Sequence, residues 1–393
     1  MRGHIIKRKG QKNSDHWTLI VDLPSDNGKR KQHWETVKGT RKEAQKRLNE
    51  ILRQLDTGAF VKPDRMTVGQ YLTEWIRDYV EPNRSPGTTD GYRDIVRAHL
   101  IPELGAIRLH ELKPEHIQAY YTRLLKSGRI RGGGGLCPKT IKNHHRLLSK
   151  ALNEAVEQGR LMRNVALAVK PPRCEHKEMA CLSPEEVKHF LELAKDTPFY
   201  VLFYTAIYTG LRRGEILGLR WKDIDVDLLS LSVQRTLQHI PKAGYVIKEP
   251  KTKQSRRFVD LPTSLAIMLR EYKQEQELTF KNLWGYTITP DDLVFCTTDG
   301  KPLPPNGVTK AFRDLAKKAG YRGVRFHDLR HTYATIMMGL GIHPKVVSMA
   351  LGHTSIMTTL DLYSHKIPGL GASAAQRFEE ALRRAEGAME GAR

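Results

Sequence analysis

The chain has 393 residues and a formal net charge of +22, because 65 lysines and arginines outnumber 43 aspartates and glutamates. That length suits two or three domains, and the excess of positive charge favours a polyanionic partner, above all nucleic acid. No stretch approaches the roughly 20 apolar residues of a membrane span, and residues 1–4 lack the apolar core of a signal peptide, so a cytoplasmic protein is expected.

Residues 1–62 are predicted to form a small sheet with one helix. Alternating apolar and polar residues predict strands over 17–21 and 32–37. Thr40 followed by Glu43 is a capping-box pattern, and the helix that begins there has an apolar stripe of Ala44, Leu48, Ile51, Leu52 and Leu55. Basic residues crowd the strand ends, namely Lys7, Arg8, Lys9, Lys29, Arg30 and Lys31. They form either a solvated basic hairpin or a surface for a polyanion.

Residues 66–170 are predicted to form an all-helical bundle, because apolar residues recur at helical spacing over 71–76, 117–125 and 141–156. The last of these helices has a run of basic and imidazole side chains: Lys139, Lys142, His144, His145, Arg146 and Lys150. These side chains either face a phosphate backbone or form an ordinary solvated face. The glycines at 132–135 predict a flexible loop that lacks a phosphate-binding pattern.

A third domain is expected over residues 180–368. Pro171 and Pro172 mark a linker before it, and Ser183 followed by Pro184 and Glu186 predicts a helix start. The domain should combine helices with a small antiparallel sheet, and Lys251 should lie at the mobile tip of a hairpin between strands at 245–248 and 256–261. The whole chain is therefore predicted to be a multidomain α+β protein.

A short tail helix and the four cysteines complete the expectations from local patterns. Residues 369–393 predict a charged helix with a thin apolar stripe, made of Phe378, Ala381, Leu382 and Ala385. The cysteines, at 137, 174, 181 and 296, lack the spacing of a disulfide framework or a zinc site. His176 lies between two of them, but the stretch reads as linker, so no metal is expected.

Six residues of the third domain form an ordered series suited to chemistry at a phosphodiester: Arg212, Lys251, His327, Arg330, His353 and Tyr363. Two guanidiniums can hold the non-bridging oxygens, where negative charge grows in the transition state. A tyrosine hydroxyl can attack phosphorus if a base or a positive field assists it, and the leaving oxygen needs a proton donor. Each residue alone has an ordinary structural explanation, and it is the joint order that favours chemistry.

In this order the residues resemble the tyrosine recombinases, or phage-type integrases, over most of the chain. The resemblance implies that Arg212 and Arg330 bind the scissile phosphate and that Tyr363 attacks it, which leaves a 3′ phosphotyrosyl link. Lys251 would protonate the 5′ oxygen that leaves. Neither a metal nor ATP is implied, because the energy of the broken bond is kept in the new one.

The resemblance also implies roles for residues around this set. His327 would assist proton transfer, and His353 would donate a hydrogen bond to a non-bridging oxygen beside the tyrosine. Glu215 would orient the first arginine, while Arg213 and His331, which adjoin the selected residues, are assigned structural or DNA-backbone roles.

For the whole chain, the resemblance implies an integrase of a phage or integrative conjugative element that acts on double-stranded DNA. Residues 1–62 would bind arm-type sites, the later domains would enclose a core-type site, and four protomers would act together. A DNA-bending or excision factor is a further expected partner, and no membrane is. The tail would dock on a neighbouring protomer or pack back on its own domain.

Two alternatives remain open at this point. A recombinase that resolves chromosome dimers or inverts DNA segments shares the chemistry, and the basic amino-terminal domain argues against it. A non-catalytic DNA-binding regulator on the same scaffold is the other, and the apparently complete residue set argues against that.

Overall fold

The computed structural model describes residues 3–7, 16–23, 31–56, 65–175, 179–240, 244–248, 256–353 and 355–363, together with 375, 376, 378–380 and 383. The chain divides into two compact units, residues 1–176 and 177–393. The fold is mainly helical with small antiparallel sheets, which confirms the predicted α+β class. In the described ranges no helix is both long and apolar enough to span a membrane.

The first unit begins with a three-stranded antiparallel sheet, made of β1 (Gly3–Lys7), β2 (His16–Leu23) and β3 (Lys31–Lys38) with β2 in the centre. Helix α1 (Arg41–Asp56) packs on one face through the predicted apolar stripe. Its capping box is confirmed, because the Thr40 amide donates to Glu43 Oε2 at 2.7 Å and the Glu43 amide donates to Thr40 Oγ1 at 3.3 Å. Of the predicted basic cluster, residues 8, 9, 29 and 30 lie outside the described residues.

The other face of this sheet presents a different set of side chains. Leu19 and Val21 are fully buried towards α1, so the alternation of the strand turns Ile20 to the opposite face. The register places His4, Ile20 and Trp34 side by side across the three strands. The indole of Trp34 is 61% exposed there.

A helical bundle follows over residues 65–170. Its helices are α2 (Val68–Trp75), α3 (Glu81–Asn83), α4 (Pro86–Ile95), α5 (Ile101–Leu104), α6 (Pro114–Ser127) and α7 (Pro138–Glu157). π-Helical turns at Ile76–Val80 and Val96–Leu100 join α2 to α3 and α4 to α5, and 3₁₀ turns lie at Leu109–Glu111 and Val165–Ala168. The predicted apolar positions form one core, except Leu125, which is exposed, and in this core the Tyr71 hydroxyl donates to the Ala151 carbonyl at 2.7 Å.

His144 departs from the prediction that it lies on the basic outer face of α7. Its side chain is buried, with 1% exposure, and its Nδ1 is hydrogen-bonded to the Tyr120 hydroxyl at 2.8 Å. Burial, and next the nearby His99 ring, lower the pKa of His144 to about 4. The residue is therefore a neutral core group at neutral pH, while Lys142 and Arg146 keep their exposed positions on the helix.

Besides a 3₁₀ turn at Trp221–Asp223, the second unit contains eight α-helices of five residues or more within its described ranges. They are α8 (Pro184–Ala194), α9 (Tyr200–Thr209), α10 (Arg213–Leu217), α11 (Thr263–Trp284), α12 (Pro305–Lys318), α13 (Asp328–Gly339), α14 (Pro344–Leu351) and α15 (Ile356–Tyr363). The predicted cap of α8 is confirmed, since the Glu186 amide donates to Ser183 Oγ at 3.2 Å and the Ser183 amide donates to Glu186 Oε2 at 2.8 Å. A cluster of Phe190, Phe203, Phe312 and Phe326 holds α8, α9 and α12 against the segment that leads into α13.

The described residues between α10 and α11 form five short strands, namely β4 (Ile224–Asp225), β5 (Ser230–Val233), β6 (Thr236–Ile240), β7 (Gly244–Lys248) and β8 (Arg257–Asp260). β4, β5 and β8 form one sheet, and β6 and β7 form another. The predicted hairpin around Lys251 is therefore wrong, because β7 pairs with β6 and β8 pairs with β5. The segment that contains Lys251 joins two different sheets, and residues 249–255 themselves lie outside the described ranges.

Candidate active site

The junction between α9 and α10 places Arg212 at the start of a helix. Gly210 ends α9 in the left-handed conformation, with φ +61°, and a Cβ at this position would lie 2.7 Å from the ring of Tyr333. Glycine therefore permits both the turn and the close approach of α13. Arg212 then caps α10, and its backbone amide donates to Glu215 Oε2 at 2.9 Å.

Glu215 is a buried carboxylate held between two guanidiniums. Its side chain is 5% exposed, and Oε1 accepts from Arg212 Nη1 at 2.7 Å. Arg257 donates to the same carboxylate, with Nη2 2.9 Å from Oε2 and Nη1 3.3 Å from Oε1. Burial by itself raises the pKa of Glu215, but the hydrogen bonds and charge of Arg257, with the charge of Arg212, hold the pKa below its ordinary value. The carboxylate is thus ionised and fixes both arginines.

Three arginines also meet the carboxyl end of α14. Arg257 Nε donates to the Ala350 carbonyl at 2.6 Å, Arg330 Nη2 to the Leu351 carbonyl at 2.5 Å, and Arg212 Nη2 to the Gly352 carbonyl at 3.1 Å. The last carbonyls of a helix lack partners within the helix and carry its partial negative charge, so cations stabilise them. One helix end therefore gathers the guanidiniums of both predicted phosphate ligands.

Arg330 is the more enclosed of those two ligands. It is 3% exposed, and its Nη1 donates to the Gly210 carbonyl at 2.9 Å. The side chain of Arg212 is 38% exposed. A guanidinium that is fixed by backbone carbonyls on one side needs no reorganisation to meet an anion on the other, which is the preorganisation that transition-state stabilisation requires.

The imidazoles near the arginines are held neutral. His353 follows the left-handed cap at Gly352, and its Nδ1 is hydrogen-bonded to Thr359 Oγ1 at 2.8 Å. Burial, and next the charges of Arg330 and Arg212, lower the pKa of His353 to about 4. Desolvation by the surrounding protein, and next the charge of Arg330, also lower the pKa of His327, although the residue itself is exposed to solvent. At neutral pH both rings can donate or accept a hydrogen bond. A bound phosphate would offset the arginine charges, so the protonation of both rings would become easier.

The residues that adjoin the predicted set have structural surroundings. Arg213 Nη1 donates to Thr309 Oγ1 at 2.5 Å and to the Pro305 carbonyl at 3.1 Å, which ties α10 to α12. His331 is 8% exposed, its ring lies 5.1 Å from that of His327, and burial is the main cause that lowers its pKa to about 4. These contacts agree with the structural alternative of the two roles, structural or DNA-backbone, that were assigned to both residues.

Of the six predicted site residues, the structure brings Arg212, Arg330, His327 and His353 into one region. Tyr363 is the last residue of α15, the helix that follows His353, and its side chain lies outside the described residues. Lys251 lies outside them as well.

Arg257 was missed by the sequence reasoning, although a signal for it existed. It is the first residue of β8, where Phe258 is 74% exposed and Val259 is 3% exposed. Strand alternation places Arg257 on the same side as the buried Val259, and a charge on a buried face needs a fixed partner. Glu215 is that partner.

An apolar groove of about 1150 Å³ begins beside this region, at Gly352 and His353. Its walls come from the amino-terminal part of α8, the end of α9, β8, α13 and α14. Several large apolar side chains on it are exposed, among them Phe258 at 74%, Met349 at 65% and Val346 at 53%. Exposed apolar surface of this extent is typical of an interaction site.

The sequence matches two family models. The phage integrase family model matches residues 180–368, and the model for the phage integrase N-terminal SAM-like domain matches residues 67–125. The tyrosine recombinase XerC-like protein of Caldanaerobacter subterraneus subsp. tengcongensis is 30% identical over 385 residues, which cover 93% of this chain and 96% of the relative. The ICEBs1 integrase of Bacillus subtilis is 28% identical over 348 residues, which cover 88% of this chain and 92% of the relative.

Solved structures share the fold at lower identity. The Tn1549 transposon integrase in complex with a circular intermediate DNA matches with a TM-score of 0.66 and 23% identity, over 80% of this chain and 99% of that one. A lambda integrase dimer bound to a COC′ core site matches with a TM-score of 0.55 and 18% identity, over 91% of this chain and 96% of that one. Because the match to the XerC-like relative spans nearly the full length of both proteins, the chain belongs to the phage integrase family of tyrosine recombinases.

Proposed function

We propose that the protein is a site-specific DNA recombinase, the integrase of a phage or integrative element, that cuts and rejoins double-stranded DNA through Tyr363. Arg212 and Arg330 bind the non-bridging oxygens of the scissile phosphate. The observation that carries this proposal is their joint anchoring at the end of α14, through the Gly352 and Leu351 carbonyls. From that helix end the chain continues directly into α15, which ends at Tyr363.

The proposed reaction is a transesterification at phosphorus. The Tyr363 oxygen forms a bond to phosphorus as its proton leaves towards His327, and the bond from phosphorus to the 5′ oxygen breaks. That oxygen takes a proton from Lys251, so the products are a 3′ phosphotyrosyl link and a free 5′ hydroxyl. His353 donates a hydrogen bond to a non-bridging oxygen. A 5′ hydroxyl of the partner strand then reverses the step, and no net bond energy is lost.

The direct test uses a nicked duplex from which the short 5′ fragment diffuses away, so that the covalent intermediate accumulates. Duplexes tiled across the DNA that flanks the gene would supply the site. We expect the protein to form an adduct that survives denaturing electrophoresis and Tyr363→Phe to form none while it binds DNA normally. Tyr286→Phe is the matched control, because Tyr286 is an exposed tyrosine whose hydroxyl donates a hydrogen bond to Asp292. This variant should react like the unaltered protein. The absence of any adduct across all duplexes would contradict the proposal and favour a DNA-binding regulator.

The same proposal divides the chain into four functional parts. Residues 1–62 form an arm-type DNA-binding domain, 66–170 the core-binding domain, 180–368 the catalytic domain and 369–393 the tail. The exposed Trp34, on the sheet face opposite α1, supports the arm-binding part, because sheets can read a DNA groove. Trp34→Ser should weaken arm-site binding and integration but leave cleavage of the core duplex unchanged, which separates an integrase from a resolving recombinase.

The protomers are proposed to act as a homotetramer on two DNA sites, with the tail of one docked on the next. The apolar groove beside His353 supports this, because the tail carries Phe378, which is 68% exposed. Phe378→Ser should lower the yield of the four-protomer complex in mass photometry on DNA. An unchanged yield would instead favour a tail that packs on its own domain. A DNA-bending or excision factor and a nucleoid location in the cytoplasm complete the proposal.

A further inference from the structure

We propose that Arg257 is a positioning residue for strand cleavage, which holds the Glu215 carboxylate and the carboxyl end of α14 in one fixed arrangement. Through Glu215 it sets the place of Arg212, and through α14 it sets the start of the segment that carries His353 and Tyr363. The inference rests on the proposed function, since it concerns the geometry of that reaction.

Arg257 is buried together with its ion-pair partner. Its side chain is 6% exposed, and it forms an ion pair with Glu215, whose side chain is 5% exposed. A buried ion pair repays its desolvation cost only with excellent geometry, and apolar residues of similar volume often stabilise a fold as well or better. A pair of this kind is therefore weak evidence for stability alone, and a role in fixing a functional geometry accounts for it better.

The rigid guanidinium of Arg257 joins three distant parts of the chain. Nε of Arg257 donates to the Ala350 carbonyl at 2.6 Å, while Nη2 donates to Glu215 Oε2 at 2.9 Å. Arg257 itself is fixed in β8, opposite Val233 of β5. The planar fork of a guanidinium can meet both acceptors at once, whereas a lysine ammonium on its flexible stem is a point charge.

The glycine at position 352 leaves space for the side chain of Arg257. A Cβ on Gly352 would lie 2.9 Å from Arg257 Nη1 and 3.1 Å from its Cδ. Gly352 also has φ +63°, so glycine is required there both for the turn and for the approach of the guanidinium. The helix end and the arginine are thus packed directly on each other.

The position of Arg257 in the chain adds a further consequence. It is the first strand residue after the segment that contains Lys251. Fixing Arg257 therefore fixes one end of that segment relative to the arginine of the phosphate site. A single side chain thus relates the phosphate ligand Arg212 to the helix end that leads into α15.

The test compares Arg257→Gln and Arg257→Lys with Arg270→Gln, all in the full-length chain. Arg270 is a matched control because its side chain is 54% exposed and pairs with Asp227 at the surface. The melting temperature of each protein is measured first. The dissociation constant is measured by fluorescence anisotropy on the intact duplex of the same sequence, and the single-turnover rate of adduct formation is measured on the nicked duplex at saturating protein between about pH 6 and pH 8.5.

We expect Arg257→Gln to bind the duplex within about 3-fold of the unaltered protein but to form the adduct about 100-fold more slowly, as a misplacement near 1 Å produces. Arg257→Lys should be intermediate, and Arg270→Gln should match the unaltered protein. The rate deficit of Arg257→Gln should also grow as the pH falls. Without Arg257 the pKa of the buried Glu215 rises, and the protonated acid no longer holds Arg212.

A folded Arg257→Gln variant that forms the adduct at the unaltered rate would overturn the inference. A deficit that does not change with pH, or one that appears only in the dissociation constant, would also overturn it. If Arg257→Gln does not fold, Arg257→Lys decides by the same criteria. A failure of the unaltered protein to form any adduct would instead contradict the proposed function, so the two failures are distinguishable.

Discussion

Replacement of Glu215 by glutamine tests the arginine network most fully. The side chain accepts bonds from the guanidiniums of Arg212 and Arg257 and from the Arg212 amide. Glutamine removes the charge and turns an NH₂ group towards a donor. Removing one partner of a buried ion pair costs about 3 to 5 kcal/mol, and most of it should come from Arg257, since Arg212 is 38% exposed and screened by water. For a unit of this size about 4 kcal/mol lowers the melting temperature by about 8 to 16 °C.

The assay is thermal and urea unfolding of Glu215→Gln beside Glu192→Gln. Glu192 is an exposed glutamate that pairs with Lys195, so its replacement should not change the melting temperature measurably. The pKa of Glu215 is lowered in the folded state, so its contribution is present above the unfolded value near 4.5 and is lost as the pH falls through the folded pKa. The difference between the variant and the unaltered protein should be constant from about pH 8 to pH 5 and shrink in stronger acid. A fall in melting temperature below about 2 °C would refute the reasoning.

Three further outcomes are expected. Gly352→Ala should lower the free energy of unfolding in urea by about 1 to 2 kcal/mol or more and slow adduct formation, because Gly352 has φ +63° and contacts Arg257. Gly339→Ala, where the surrounding space is open, should leave the free energy of unfolding unchanged. Because burial lowers the pKa of His144 to about 4, the unfolded chain takes up a proton first, so His144 should contribute about 2 kcal/mol to the fall in stability from pH 7 to pH 5; His144→Gln should reduce the fall for the first unit by about that amount. DNA affinity should fall about 10³-fold or more between about 50 and 200 mM salt, and a slope near zero would contradict multiple phosphate contacts.

Local signals in the sequence predicted much of the fold. The capping boxes at Thr40 and Ser183 depend on residues three apart, and both form as predicted. The apolar stripe of α1 follows the helical period and packs as predicted on the first sheet. The motif around Arg212 and the one around Arg330 lie in the same region because α9 and α13 pack together, which the order of motifs indicated and their spacing alone did not.

Long-range pairing explains why the hairpin around Lys251 and the position of His144 were predicted wrongly and why Arg257 was missed. The strands on either side of Lys251 looked like a hairpin, but β7 pairs with β6 and β8 with β5, and alternation along a strand does not reveal which neighbour it joins. His144 looked like part of a basic helix face, yet it faces Tyr120, because a neutral imidazole can satisfy a buried hydroxyl. Arg257 was missed for a similar reason: strand alternation turns it to the buried side, but its partners lie at positions 215 and 350, and no local pattern connects it to them.

Mass spectrometry of the trapped complex tests the central claim most directly. After nuclease digestion and trypsin cleavage, the peptide of residues 346–366 contains Tyr363 as its only tyrosine. We expect this peptide to gain the mass of the remaining nucleotide and its fragmentation to place that mass on Tyr363. A nucleotide found on any other residue, or a peptide that stays unmodified while DNA is cut, would contradict it.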